Sequence, residues 1–188
     1  MHGDIQTYPA TPERWGDMTE IFAGKGDAGK CWCAHWYLSA KECKAGWGQH
    51  QHVLESRVKA GPPPGVLAYM DGEPAGWAGV APRANFDRLV RNKKVLAPVD
   101  DRPVWSLNCL VVRRGFRKRG LMRPLIGGAV AYALDAGAIA IEAYPVETGP
   151  KKTVWDLYLG TINAYEDCGF VEVARRGPRQ RIMRYWPD

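Results

Sequence analysis

Val111-Val112-Arg113-Arg114-Gly115-Phe116-Arg117-Lys118-Arg119-Gly120-Leu121-Met122-Arg123 is the most telling run in the chain. An apolar strand enters a short basic turn, a glycine follows, and an amphipathic helix begins. Such a turn aims free backbone N–H groups and the positive end of a helix dipole at one point, which suits a phosphate or diphosphate. Arg113, Arg114, Arg117, Lys118, Arg119 and Arg123 crowd around it with no intervening acid. Basic clusters are more often solvated faces or general polyanion patches. Gly120 at the helix start, directly after a strand, favours a phosphate-bearing cofactor, because a nucleic-acid surface needs no such backbone arrangement.

The elements on either side complete a pattern. Ile5 to Tyr8 reads as a strand, and Thr11-Pro12-Glu13 as a helix start with Thr11 as cap, leading to Trp15, Met18, Ile21 and Phe22. Gly24 to Gly29 breaks that helix, and a second runs from about Gln49 to Lys59, stopped by Gly61-Pro62-Pro63-Pro64-Gly65. Val66–Met70 and Ala75–Val80 flank Asp71-Gly72-Glu73, a hairpin signal. Residues 83–101 form an irregular excursion with a helical turn at Phe86 to Val90, and Val104–Val112 is the longest strand. The helix from Gly120 to about Ala136 carries Leu121, Leu125 and Ala129 beside Met122, Ile126, Val130 and Ala133 at three- and four-residue steps. A strand at Ala138–Ala143, a helix near Thr161–Cys168 and a hairpin of Phe170–Arg175 with Arg181–Trp186 follow. This order predicts an α/β (α+β) fold with helices on both faces of a sheet.

At 188 residues the chain is expected to form one domain, residues 1–188, with a core that needs no staples. Its 46% hydrophobic and 24% charged residues are ordinary for a globular protein. A formal charge of +6 favours anionic ligands without naming one. Five cysteines, no secretory pattern at Met1-His2-Gly3-Asp4 and no membrane-length apolar run point to free thiols in the cytoplasm.

The chain resembles the GNAT superfamily of acetyl-coenzyme-A-dependent N-acyltransferases. One shared element is the basic motif before the helix, here Arg117-Lys118-Arg119-Gly120-Leu121-Met122. The other is the late helix-to-strand signature, here Tyr165-Glu166-Asp167-Cys168-Gly169-Phe170. The order of elements agrees from near residue 5 to the C-terminus. Within that superfamily it is similar to a bacterial subgroup marked by Cys31-Trp32-Cys33, Gly72-Glu73-Pro74-Ala75-Gly76-Trp77 and Arg184-Tyr185. The resemblance implies a mixed, mostly antiparallel central sheet and acetyl-CoA as cosubstrate. It places the diphosphate along Arg117, Lys118, Arg119, Gly120, Leu121, Met122 and Arg123, and the pantetheine along the strand edge of Leu110, Val111 and Val112. Met122 stands where the family usually has Gly or Ala.

Acetyl transfer to an amine needs a base for the amine proton, a donor for the carbonyl oxygen and an acid for the thiolate. By motif position Tyr165 is the expected acid. Glu142, inside a strand and opposite the face shared by Ile139 and Ile141, is the expected base, with a solvated strand face or a structural ion pair as the competing reading. Strand N–H groups around Leu110 to Val112 are the expected oxyanion donors. Asn108, which interrupts an apolar strand, is read either as a substrate contact or as a satisfied buried amide. Trp32 and Trp36 are read either as acceptor-pocket walls or as core. Cys31-x-Cys33-x-His35, with His50 and His52, has zinc-type ligands but not the usual spacing, so no metal is expected. Cys109 and Cys168 read as core fillers. The expected partner is a small-molecule amine, amino acid or peptide, without membrane or nucleic acid; family habit allows a homodimer. A transfer-RNA-directed acetyltransferase toxin and a non-catalytic acyl-CoA-binding module stay open as alternatives.

Overall fold

In the computed structural model, which describes residues 3–24, 26–147 and 153–187, one sheet holds β1 (Ile5–Pro9), β2 (Gly65–Met70), β3 (Glu73–Pro82), β4 (Trp105–Val112), β5 (Ile141–Ala143), β6 (Val171–Arg176) and β7 (Gln180–Tyr185). The spatial order is β1-β2-β3-β4-β5-β7-β6. Only β4 and β5 run parallel, so the sheet is mixed and mostly antiparallel. Asp71 and Gly72, at φ 53° and 82°, close the β2–β3 hairpin with the left-handed pair that a two-residue turn requires.

The helices are α1 (Trp15–Phe22), α2 (Asp27–Cys31), α3 (Ala40–Ala45), α4 (Gln51–Ala60), α5 (Asp87–Arg91), α6 (Met122–Asp135), α7 (Val154–Leu157) and α8 (Ile162–Glu166). The apolar stripe read in the sequence is the one α6 buries: Leu125, Ile126, Ala129, Val130 and Ala133 pack on one sheet face with Ala68, Ala78, Leu107 and Leu110. A Cβ on Gly128 would lie 2.3 Å from Thr7 Oγ1, so glycine lets α6 approach β1. The opposite face is covered by α1, α4 and α5 through Phe22, Leu54 and Leu89, over Leu67, Trp77 and Ile182. Helices therefore cover both faces, as the element order predicts.

Several boundaries differ for local reasons. The helix read from Gly120 begins at Met122, because Gly120 is left-handed at φ 81°. The strand read from Ala138 is only Ile141–Ala143; the Ala138 N–H instead closes the end of α6 on the Ala133 carbonyl, and Ile139 is exposed. Thr11 makes no side-chain cap, and Pro12–Arg14 form a 3-10 turn before α1. α3 was readable from Ser39-x-x-Glu42, whose two side chains form a reciprocal capping box. α2 and α7 lie where the sequence suggested only loop.

The feature that makes a site is in β4. Gly79 faces Cys109 and Val80 faces Leu107, so Asn108 is an extra residue with no β3 partner. A bulge of this kind bends its strand and ends regular pairing. β4 pairs with β5 only at Trp105 to Leu107. Beyond that point the two strands part, and the outer edge of β4 meets the connection between α7 and α8.

Candidate active site

The basic turn after β4 has the backbone an anion needs. Lys118 and Gly120 are both left-handed, at φ 61° and 81°, and alternating hands of this kind make concave clusters of N–H groups. Leu121 caps α6 without a side-chain bond, and the first intrahelical bond runs from the Leu125 N–H to the Leu121 carbonyl at 3.0 Å. The earlier N–H groups, at Leu121, Met122 and Arg123, have no partner within the helix. Gly120, Leu121 and Met122 line a cavity of about 310 Å³ together with Leu110, Val112 and Thr161. Met122 is half-buried against the α6 core and forms part of the wall, so the longer side chain does not fill the cavity.

The cations divide into two groups. Arg117 and Lys118 line the cavity, with Arg117 Nε donating to the Val112 carbonyl at 3.1 Å. The side chains of Arg119 and Arg123, whose backbone is expected along the diphosphate, pair with acids and a ring. Arg119 lies 3.7 Å from Asp71 and over the Phe116 ring, and Arg123 Nε donates to Asp167 at 2.7 Å.

On the β4 edge, the Leu110 N–H donates to the Tyr158 carbonyl at 2.7 Å. Backbone groups alternate direction along a strand, so Leu110 and Val112 face the gap while Val111 faces β3. The Val111 side chain lies on the other sheet face, on the wall of a second cavity. The edge expected for three residues thus reduces to Leu110 and Val112, and the Leu110 donor is already in use.

That second cavity, about 480 Å³, shares Tyr158 with the first. Phe22, Trp36, Trp47 and Leu96 supply apolar wall, and Cys31, Cys33 and Cys109 supply sulfur. Burial pushes the Cys31 thiol up to about 12 and the Cys33 thiol well above its ordinary value, so both stay protonated at neutral pH. Among the described residues no cluster of three His, Cys, Asp or Glu side chains could hold a metal. Asn108 is 2% exposed and borders this cavity, and its buried Nδ2 has no hydrogen-bond partner among the described residues. The buried amide is therefore not satisfied among the described residues. Trp36 is on the wall, but Trp32 is not: left-handed Trp32 and Cys33 turn that ring into the core, stacked 4.6 Å from Phe22.

His35 also lines this cavity, and sequence reasoning weighed it only as a metal ligand. Burial, then the nearby Arg88 guanidinium, lowers its pKa to about 4, so the imidazole is neutral at pH 7. Asp156 is the acidic side chain on the wall among the described residues; it accepts from Arg179 at 2.7 Å.

Tyr165 lines neither of the two cavities. It is fully buried, its hydroxyl has no partner among the described residues, and burial raises its pKa. A Cβ on Gly160 would fall 2.7 Å from the Tyr165 ring and 2.9 Å from Leu110 Cδ1, so the Tyr158–Gly160 strand of chain lies directly on these two residues.

Glu142 does not join this group. Its Oε1 accepts from Arg184 Nε at 3.2 Å and Nη2 at 2.6 Å, and its Oε2 accepts from the Tyr144 hydroxyl at 3.1 Å. It is 1% exposed, and Arg184 is further held by Asp100 at 2.6 Å. Glu142 lines neither of the two cavities. Its place corrects the expectation of a general base: Oε1 is held in a buried ion pair with Arg184, Oε2 accepts from Tyr144, and the carboxylate lies outside both cavities.

The model of the acetyltransferase (GNAT) family matches residues 32–170. No curated protein matches the chain. Among solved structures, arylalkylamine N-acetyltransferase 2 from Aedes aegypti superposes with a TM-score of 0.58 at 16% identity, over 98% of this chain and 100% of that one. A GNAT-family acetyltransferase from Listeria monocytogenes gives 0.56 at 13% identity, over 97% and 95%. A chain of the NatC complex bound to Gag peptide and CoA gives 0.54 at 14% identity, over 98% and 99%. At such identities the likeness is one of fold. The family match spans most of the chain, across the parted β4 and β5 and the α6 turn: the chain belongs to the acetyltransferase (GNAT) family.

Proposed function

We infer that this acyltransferase moves the acetyl group of acetyl-CoA directly to a primary amine of a small molecule, amino acid or peptide. The observation that carries the reading is the pair of cavities meeting at Tyr158, one ending at the free N–H groups of α6 and the other walled by rings. The residues fit the cosubstrate: Lys118, Gly120, Leu121 and Met122 offer backbone N–H groups, and Arg117 and Lys118 offer charge, at the spot a diphosphate requires. The Leu110–Val112 edge offers strand-like bonding to a pantetheine amide, in exchange for the Leu110–Tyr158 bond. A cytoplasmic setting agrees with five free cysteines.

Acetyl-CoA supplies an activated thioester, and the side chains manage the protons. As the new N–C bond forms and the C–S bond breaks, the Tyr165 hydroxyl, protonated and without a partner among the described residues, gives its proton to the departing thiolate and takes one back from solvent when CoA leaves. His35, the neutral imidazole on the amine side, takes the proton that the amine loses and returns it to solvent. This assignment replaces Glu142.

Calorimetric titration with acetyl-CoA and a turnover assay on Tyr165→Phe test the reading. The variant should lose about 100-fold in kcat with acetyl-CoA affinity within about twofold. Removing an unsatisfied buried hydroxyl should leave stability unchanged or higher. No acetyl-CoA binding at high micromolar protein removes the basis of the reading, and unchanged kcat in the variant removes Tyr165 from the chemistry.

A further inference from the structure

We propose that residues 157–160 are a displaceable strap, which covers the β4 edge in the free protein and is pushed off it by the pantetheine arm of acetyl-CoA. The proposal rests on the acetyl-CoA reading and adds a movement to it.

The edge is open by topology and closed by the chain itself. Among the described residues β4 pairs with β5 only at Trp105 to Leu107. Past that point its outward N–H and C=O groups are a bare sheet edge, ready to bond any chain that comes alongside. The Leu110 N–H donates to the Tyr158 carbonyl at 2.7 Å, and the Val112 carbonyl accepts from Arg117 Nε at 3.1 Å. Leu110 and Val112 are the residues whose backbone faces the gap, so both are engaged before any cosubstrate arrives. A pantetheine amide bonding this edge needs the same Leu110 N–H, and one backbone N–H is one donor. Strap and pantetheine therefore compete for it.

The strap is held firmly at its ends and weakly between them. Asp156 accepts from the Thr153 N–H at 2.8 Å and from Arg179 at 2.7 Å. On the other side Thr161 caps α8, its hydroxyl accepting from the Ala164 N–H at 3.3 Å. Between these posts the Leu159 N–H reaches the Asp156 carbonyl and the Gly160 N–H reaches the Leu157 carbonyl, both at 3.3 Å, which is long for such bonds. Leu157 is 45% exposed. A short segment with few buried contacts and long turn bonds opens far more easily than a strand in a full ladder. Tyr158 stands on the wall of both cavities, so lifting it joins the cosubstrate cavity to the acceptor cavity.

Hydrogen–deuterium exchange read by mass spectrometry tests this with two ligands. One is CoA; the other is adenosine 3′-phosphate 5′-diphosphate, which has the nucleotide end without the pantetheine. CoA should slow exchange at 117–123 and speed it by about threefold or more at 156–161. The nucleotide should slow 117–123 alone. Leu159→Ala, which trims the apolar contact between strap and core, should tighten CoA by about fivefold and leave the nucleotide within about twofold. Protection at 117–123 with exchange at 156–161 unchanged or slowed by CoA overturns the strap and keeps the acetyl-CoA reading. Equal CoA affinity in Leu159→Ala and the wild type also counts against the strap. Protection of 117–123 by neither ligand sinks the acetyl-CoA reading, and the strap with it.

Discussion

Replacing Glu142 separates a structural carboxylate from a catalytic one. In Glu142→Gln the side chain keeps its shape but loses its charge, leaving Arg184, itself 2% exposed, with Asp100 as its remaining counter-ion. Breaking one side of a buried pair costs about 3–5 kcal/mol when the partner is stranded. Here Asp100 still holds Arg184 at 2.6 Å and the Gln amide oxygen can still accept, so about 2–3 kcal/mol is expected. With an unfolding entropy of about 2.1 cal/mol/K per residue, a chain of 188 residues loses about 0.4 kcal/mol per degree near its midpoint. The melting temperature should therefore fall by about 5–8 °C. Turnover per folded molecule should stay within about threefold of the wild type, since the base is placed elsewhere. Replacing the pair together, Glu142→Leu with Arg184→Met, should recover most of the loss, because two desolvated charges leave at once. Calorimetric melting and steady-state acetylation on the same preparations check both halves. An unchanged melting temperature with kcat down by about 100-fold would refute the reasoning and restore Glu142 as the base.

Gly160→Ala should cost about 1–3 kcal/mol and weaken turnover, because φ is 77° and the added Cβ would press on Tyr165 and Leu110. Gly16→Ala, a helical site with open space around it, is the control and should stabilise by about 0.5–1 kcal/mol in urea unfolding. Acid should weaken the fold through His35. The unfolded chain takes up its proton near the ordinary 6.5 while the folded chain waits until about 4, so stability falls by about 2–3 kcal/mol as pH drops across that window. Urea midpoints at pH 7 and about pH 4.5 should differ by less in His35→Gln than in the wild type; an identical difference in both would exclude His35 as the source.

The chemistry legible in the sequence is that which depends on neighbours a few residues away. Gly120 after a strand and before an apolar helix signalled the anion turn, and the fold places free N–H groups there. The side chains of Arg119 and Arg123 pair with Asp71 and Asp167, which no local pattern reveals. Tyr165 was read by motif, and it is buried against the chain at Gly160. Trp32 and Trp36 looked alike in sequence, yet left-handed backbone at Trp32 and Cys33 sends one ring to the core and leaves the other on a cavity wall. His35 carried a signal only as a metal-type residue, because its neutral state arises from burial and from Arg88 on a different helix.

Periodicity, turn chemistry and glycine placement in this chain determined the hairpin at Asp71-Gly72, the buried stripe of α6 and the basic turn, since backbone conformation and amphipathic spacing are set within a few residues. Tertiary structure alone decided that Asn108 would bulge out of the β3 register, that Arg184 would claim Glu142, and that the Tyr158 carbonyl would rest on the Leu110 N–H. Each of those is a partnership between distant segments, settled by strand register and by which elements the sheet order brings together.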